Sequence, residues 1–335
     1  MGWKQLSAEE AGWDRVSSPA GDDNPFQSEA WGRYKQRSGW EPQRWIASVN
    51  GGRPVCSVQL LRKRLPLGGA LLWAPGGPVI GFPGSSPAEL QEILPEGIRR
   101  ICRANRAWYA RFYSLQPSDP GVRRLLSEIC AVPGRRLGSG ATVQLDLTSS
   151  PEHLLEGMDK KHRYLVRRRG GDALQWKWGS SDALAADLAR LHAEMAAAKR
   201  VSAADLDDLS RLIADFQENA RILIGASGSE PVTGCLVLLK GKSAFYWRAA
   251  TSRKGRELSA SYAMILELLK RLKAGGTLRF DFGGILPGVE SAEGINHFKR
   301  GFGGRTVEYL GEWEWASRSW VRWGINAWIA GRRRW

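Results

Sequence analysis

Lys299 follows Phe298 and stands just ahead of Gly301, Gly303 and Gly304, at the end of a stretch from Phe280 that mixes glycines with aromatic clusters. A lysine fixed on a short segment beside glycines offers a compact positive charge with three donors. That suits the stabilisation of negative charge as it develops in a transition state. Upstream, Gly283 and Gly284 come straight after Phe280-Asp281-Phe282. Paired glycines at the end of a strand pattern predict a bulge or a close backbone approach. The plain alternative is two strands joined by a long glycine-rich loop.

A second concentration of charge runs from Lys160 to Arg169, with six lysines and arginines in ten residues. On a helix, Lys160, Arg163 and Arg167 form one stripe and Lys161 and Arg168 another. Such a stripe fits a phosphate backbone; the bland reading of any charge run is a solvated face. His153, His162, His192 and His297 lack metal-ligand spacing, and no serine or cysteine has a partnered base. The sequence therefore predicts neither a metal site nor a covalent nucleophile.

These residues need elements to hold them. In the first half, Trp45–Ser48 and Val55–Leu61 read as paired strands around Asn50-Gly51-Gly52, and Leu71–Trp73 as a strand. Ala88–Asn105 reads as a helix, Trp108–Leu115 as a buried strand, Leu125–Ala131 as a short helix and Thr142–Leu147 as a strand. Small polar residues and Pro151 after Leu147 mark a boundary. The second half continues with a helix over His153–Arg169, a strand over Ala173–Trp178, and helices over Asp182–Lys199 and Leu206–Gln217. Strands follow at Arg221–Ala226, Thr233–Lys240 and Ser243–Ala249, then a helix at Ser259–Ala274 and strands at Thr277–Phe282 and Glu308–Trp315. The halves recur in layout without a sequence repeat.

A chain of 335 residues with 43% hydrophobic composition suits two domains with real cores. The net charge of +15 points to an anionic partner, although basic surfaces also occur without one. Cys56, Cys102, Cys130 and Cys235 lie far apart without C-x-x-C spacing, which argues against a disulfide framework and fits a reducing compartment. The first residues carry Glu9, Glu10 and Asp14 and no apolar run approaches membrane-spanning length, so a cytoplasmic location is expected.

Three segments resemble the FemABX family, the aminoacyl-tRNA-dependent transferases that extend peptide side chains of bacterial cell-wall precursors. One is Asp281-Phe282-Gly283-Gly284-Ile285, then Phe298-Lys299, the glycine-rich 301–304 and Glu308-Tyr309-Leu310-Gly311. Another is Pro25-Phe26-Gln27-Ser28 with Trp31, Tyr34-Lys35 and Gly39-Trp40-Glu41. The third is the basic segment from Met158 to Arg169 with the strand after it. The resemblance implies an α/β (α+β) fold of two acetyltransferase-like (GNAT-type) domains, each a mixed sheet flanked by helices. The first is expected over 1–147, completed by 312–335, and the second over 148–311.

The resemblance further implies transfer of an amino acid from aminoacyl-tRNA to an amine of a lipid-linked or nucleotide-linked peptidoglycan precursor. The amine attacks directly, without a covalent enzyme intermediate, and aminoacyl-tRNA as co-substrate is the sole cofactor requirement of a monomeric enzyme. Lys299 is the implied electrostatic catalyst, and Phe298 would stack on the terminal adenosine. Trp31, Lys35, Tyr246, Asp281, Gly283 and Gly284 would bind substrate, and Lys160, Lys161, Arg163, Arg167 and Arg168 the tRNA. Lys35 shares a helix face with Trp31 and either contacts substrate phosphate or is a solvated lysine. At Ser114-Leu115-Gln116-Pro117, Gln116 stands where the family carries an acid; it cannot take a proton but can orient an amine. The family's phosphate-binding arginine after Met195 has no match, Lys199 and Arg200 lying a few residues early. Both departures bear on the acceptor, so a secondary-metabolite peptide or a lipid stays open as acceptor.

The tail from Trp313 to Trp335 holds six tryptophans and five arginines. As a helix it puts Arg318, Arg322 and Asn326 opposite Trp320, Trp323, Ile325, Trp328 and Ile329. That is either an anionic-membrane contact on the inner face of the cytoplasmic membrane or a helix docked on the core with its tryptophans buried. Two other activities remain. An acyl-CoA-dependent N-acyltransferase needs a pyrophosphate loop, and Thr251–Glu257 has the wrong spacing for one. A non-catalytic RNA or membrane adaptor would use the basic helix and tail but not Lys299.

Overall fold

In a computed structural model, residues 2–7, 12–17, 23–49, 52–66, 68–167, 174–199 and 205–331 are described. Arg168, Arg169, Arg200 and the Asn50-Gly51 part of the expected turn lie outside them. The chain divides into two compact units. One comprises the residues up to Gly140 and those from Glu308 onward; the other is Ala141–Val307.

In the first unit, Glu41–Val49 and Arg53–Arg64 pair antiparallel, with Gly2–Leu6 added on the outer side of the former. Ala70–Gly76 joins antiparallel to Arg53–Arg64 and runs parallel to Ala107–Pro117. A parallel step needs a long crossover, and the helix Pro87–Ala104 supplies it. That helix starts on a reciprocal cap, Ser86 Oγ accepting from Glu89 N–H and Glu89 Oε2 from Ser86 N–H. The strand Arg305–Ala316 pairs antiparallel with Ala107–Pro117, from Tyr309 opposite Pro117 to Ala316 opposite Tyr109. The short helix of this half is Pro120–Ser127, not Leu125–Ala131, because Asp119 caps it through Val122 N–H and Pro120 opens it.

The second unit uses the same plan. Leu174–Gly179, Ala220–Ser227, Glu230–Lys240 and Ser243–Thr251 follow one another antiparallel. The helix Ala260–Ala274 then carries the chain to Arg279–Ile285, which lies parallel to Ser243–Thr251. Ala141–Asp146 closes the sheet antiparallel to Arg279–Ile285. That pairing moves the expected boundary at 147/148 to 140/141, since the strand belongs with the sheet it hydrogen-bonds. The return boundary falls at 307/308 instead of 311/312. The core under this sheet includes Phe280, Phe282, Phe302, Leu268 and Ile265, each nearly fully buried, and each such side chain contributes about 1.5–3 kcal/mol.

Two helical expectations change. The span His153–Arg169 is broken into Pro151–Gly157 and Lys160–Arg167. Asp159 ends the continuity: its Oδ1 accepts the His162 N–H at 2.7 Å and starts a new helix. The stretch holding Lys299, expected as a loop ending in a turn, contains the helix Glu293–Arg300.

Candidate active site

The predicted bulge exists. Between the pairs Asp281–Gln144 and Gly284–Thr142 the register slips, and Gly283 takes φ +67°. A β-carbon on Gly283 would stand 2.8 Å from the Tyr246 carbonyl oxygen, so the glycine meets both a left-handed backbone and a close approach. The bulge turns the carbonyls of Gly283 and Gly284 toward the last turn of the helix Glu293–Arg300, and Lys299 Nζ donates to them at 3.0 and 2.7 Å. Lys299 is only 7% exposed. Among the described residues its third N–H has no partner.

Asp281 completes the centre. Its carboxylate accepts from Thr142 Oγ1 at 2.5 Å, Gln144 Nε2 at 3.0 Å and Gly283 N–H at 2.7 Å. Burial pushes the Asp281 carboxyl up, against those hydrogen bonds and the charge of Lys299. For Lys299 burial works the other way and lowers the ammonium to about 8, opposed by the charge of Asp281. A lysine so tuned donates a hydrogen bond as a cation near neutral pH and can also part with a proton. Tyr246 packs its ring against Phe280 and Phe282, centroids 6.0 and 6.1 Å apart, and burial raises its hydroxyl well above the usual tyrosine range.

Asn296 fixes the helix that carries Lys299: its amide accepts from Leu286 N–H at 2.9 Å and donates to Leu286 O at 2.7 Å. Phe298, expected as a stacking platform, is half-buried and meets Tyr262 and Phe302 edge-on at 5.2 and 5.1 Å. Its ring serves packing in this structure.

His162 is a residue that spacing arguments passed over. It is fully buried within the basic helix, Nδ1 2.8 Å from Asp159 Oδ1 and Nε2 3.0 Å from the Phe298 carbonyl. Burial raises the Asp159 carboxyl, yet the bonds from His162 backbone and ring outweigh it and hold the group below its ordinary range. Gly301 makes room, because a β-carbon there would stand inside the His162 ring. Asp159, His162 and His297 offer ligand atoms within 4.8 Å of one another. Both ring nitrogens of His162 already face protein groups, Nδ1 the Asp159 carboxylate and Nε2 the Phe298 carbonyl. The group is a hydrogen-bonded joint between the basic helix and the helix of Lys299. The signal in sequence was a histidine inside a basic run, three residues after an aspartate. On the outer side of the basic helix Lys160, Lys161 and Arg167 are exposed, while Arg163 is half-buried with Nη1 on the Glu156 carbonyl at 3.0 Å.

Residues expected to bind substrate in the first unit form a different kind of place. Ser28 caps the helix Glu29–Gln36 through Trp31 N–H, and Trp31 is buried against Phe26 and Tyr34. Lys35 folds back over this wall, Nζ 4.8 Å from the Trp31 ring centroid, 4.4 Å from that of Tyr34 and 5.9 Å from that of Trp73. Gln27 is wholly structural: its amide donates to the carbonyls of Gln59 and Pro75 and accepts from Gln59 N–H. Gln116 is likewise engaged, accepting from Ile80 N–H at 2.7 Å and donating to Ile80 O at 3.0 Å. Its amide extends strand pairing, a use that spends the groups with which it was expected to orient an amine.

Residues 206–326 match the model of the FemAB family. The match contains Asp281, the glycine pair and Lys299, and excludes both the Pro25–Glu41 segment and the basic helix. No sequence among the curated proteins matches the chain. Among solved structures the fold is similar to that of FemX, with a TM-score of 0.81 at 15% identity over 96% of this chain and 100% of that one. It is also similar to the C-terminal domain of a putative lysylphosphatidylglycerol synthetase from Agrobacterium fabrum, with a TM-score of 0.54, 13% identity and 92% and 95% coverage. A tandem GNAT protein from the clavulanic acid biosynthesis pathway gives a TM-score of 0.50 at 13% identity, over 83% and 84% of the two chains. Residues 206–326, which hold the buried centre of Asp281, Gly283, Gly284 and Lys299, are thus similar to the FemAB family, and the acetyltransferase-like fold of the chain is similar to that of FemX.

Proposed function

We propose that the protein moves an amino acid from aminoacyl-tRNA to the amine of a peptidoglycan precursor. The observation that carries this reading is Lys299: two of its N–H groups are held by the carbonyls of Gly283 and Gly284, and the third is unspent among the described residues. The acceptor amine attacks the ester carbonyl, a carbon–nitrogen bond forms, and the carbon–oxygen bond to the ribose breaks. Negative charge passes from the carbonyl oxygen to the ribose oxygen, where the held ammonium lowers the barrier and gives up a proton; the neutral lysine so formed, with a pKa of about 8, then takes the proton that the attacking amine sheds. No nucleophilic side chain is required, because the amine attacks directly. The exposed Lys160, Lys161 and Arg167 would take tRNA phosphates.

The acceptor amine is carried by a muropeptide, either nucleotide-linked or lipid-linked; the lipid-linked form implies work at the inner face of the cytoplasmic membrane. No helix among the described residues is long and apolar enough to cross a membrane. A lipid acceptor is the second reading, favoured by the likeness of fold to a putative lysylphosphatidylglycerol synthetase domain. Purified protein, a mixture of charged radiolabelled tRNAs and separate amine and phosphatidylglycerol acceptors test both. Label is expected on the muropeptide amine. Label on the lipid alone would replace the acceptor, and consumption of acetyl-CoA with no label leaving tRNA would overturn the donor.

A further inference from the structure

The helix Ser319–Gly331 docks on its own unit by a mixed side, with Val321 and Ile329 buried. Part of its polar side faces its own unit: Asn326 Nδ2 donates to both oxygens of Glu314 at 3.1 and 2.9 Å, and Arg322 lies 4.0 Å from the same carboxylate. Glu314 is 2% exposed and also accepts from Tyr109 OH. A buried acid leaves its donors little choice of direction, and Val321 and Ile329 fill in beside them. The tryptophans are left outside, Trp320 at 67%, Trp323 at 76% and Trp328 at 52% exposed. Burial of these rings on the core is thereby excluded.

On the helical wheel Trp323 and Trp328 flank Ala327, Trp320, Gly331 and Gly324, a side without charge. Three tryptophans at such exposures present on the order of 400 Å² of apolar surface, at the size where a patch marks a binding site. The sequence around it has one sign: from Trp315 to the last residue there are five arginines and no acid. Thirteen residues rise about 20 Å, short of a bilayer's hydrocarbon core, so the helix can lie in an interface but not cross it. Indole rings prefer the headgroup level, and arginine pairs there with lipid phosphate. A second copy of this chain would bring five more arginines against the first five, which makes it a poor occupant.

We propose that this helix docks in the plane of an anionic phospholipid bilayer, with Trp320 and Trp323 seated below the headgroups and Trp328 at their edge, the positive charge of the segment favouring an anionic surface. The inference deepens the reading of a lipid-linked acceptor by naming the surface that meets its membrane, but its test needs no activity. The full chain is floated with vesicles of phosphatidylcholine, with and without phosphatidylglycerol, beside the Trp320→Ser/Trp323→Ser variant. The wild type is expected to float with the anionic vesicles only, and the variant, unchanged in melting temperature, to bind at least about tenfold more weakly. Failure of the wild type to float, equal flotation of the variant, or a dimer that the variant abolishes would each overturn the proposal. Transfer to a soluble nucleotide-linked acceptor is measured in parallel. A chain that floats but transfers nothing contradicts the proposed activity alone, and one that transfers but does not float contradicts the docking alone.

Discussion

Lys299 and Lys35 are both lysines on short helices, beside aromatic residues, in segments that resemble one family, and the protein treats them in opposite ways. Lys299 is buried among backbone carbonyls, beside a buried aspartate, with its ammonium lowered to about 8. Lys35 is half-buried and lays its charge over the faces of Trp31, Tyr34 and Trp73. An aromatic face is satisfied at modest cost, about 0.5–2 kcal/mol of attraction, and asks nothing of a substrate. A desolvated ammonium with an unspent donor is held at a cost that a reacting ester can offset. The contrast separates a desolvated ammonium among carbonyls from one laid over aromatic faces, although motif resemblance marked both.

The largest expected break in that contrast is Lys299→Met against Lys35→Met. Removing the buried ammonium should lower label transfer by about 10²–10³-fold or more, while removing Lys35 should cost less than about tenfold; equal losses would erase the distinction. Next comes Gly283→Ala, which forces a side chain onto φ +67° and toward the Tyr246 carbonyl. It should destabilise the protein by at least about 2 kcal/mol in denaturant unfolding and slow transfer by misaiming the two carbonyls. In the first unit Gln116→Glu restores the family's acid but turns a donor on the Ile80 carbonyl into a repelling oxygen. A loss of about 1–2 kcal/mol with no gain in transfer is expected; a faster enzyme would show that the position serves the reaction. The smallest effect belongs to Lys160→Gln/Lys161→Gln, which should raise the KM for charged tRNA severalfold and reduce the salt slope of binding by about 1–2 without changing kcat.

How much of this was legible varied with the physics involved. The bulge at Gly283-Gly284 could be read from residue type, because few other residues accept that backbone. That Lys299 stands among glycines could be read from its neighbours. Its helix could not: Glu293–Arg300 contains Gly294 and Asn296, poor helix formers, and depends on the bonds of Asn296 to Leu286, a tertiary event. The break at Met158-Asp159 was hidden by continuous helical periodicity, and only the capping role of Asp159 exposes it. In the tail, the amphipathic pattern grouped Trp320, Trp323 and Trp328 correctly but placed Ile329 with them, whereas it is buried on the inward side beside Asn326, and it was silent about which side faces in. Buried Glu314 decides that, from a strand that pattern analysis treats separately. Gln116 is hard to read for a related reason, since a polar motif residue spent on backbone looks the same in sequence as one aimed at substrate.

The central claim is that the Lys299 ammonium supports the transfer, and its most direct test is the pH dependence of single-turnover label transfer. If the cation is required, the rate should follow its protonated fraction and fall as pH rises through about 8. Unfolding would not imitate this. The folded-state value lies below the ordinary 10.5, so between the two the unfolded chain binds more protons and the contribution of Lys299 to stability increases with pH. The account predicts a descending limb near pH 8 in the wild type that moves up or disappears, with much of the rate, in Lys299→Arg. A wild-type rate that keeps rising to about pH 10, or a limb unchanged in Lys299→Arg, would contradict it.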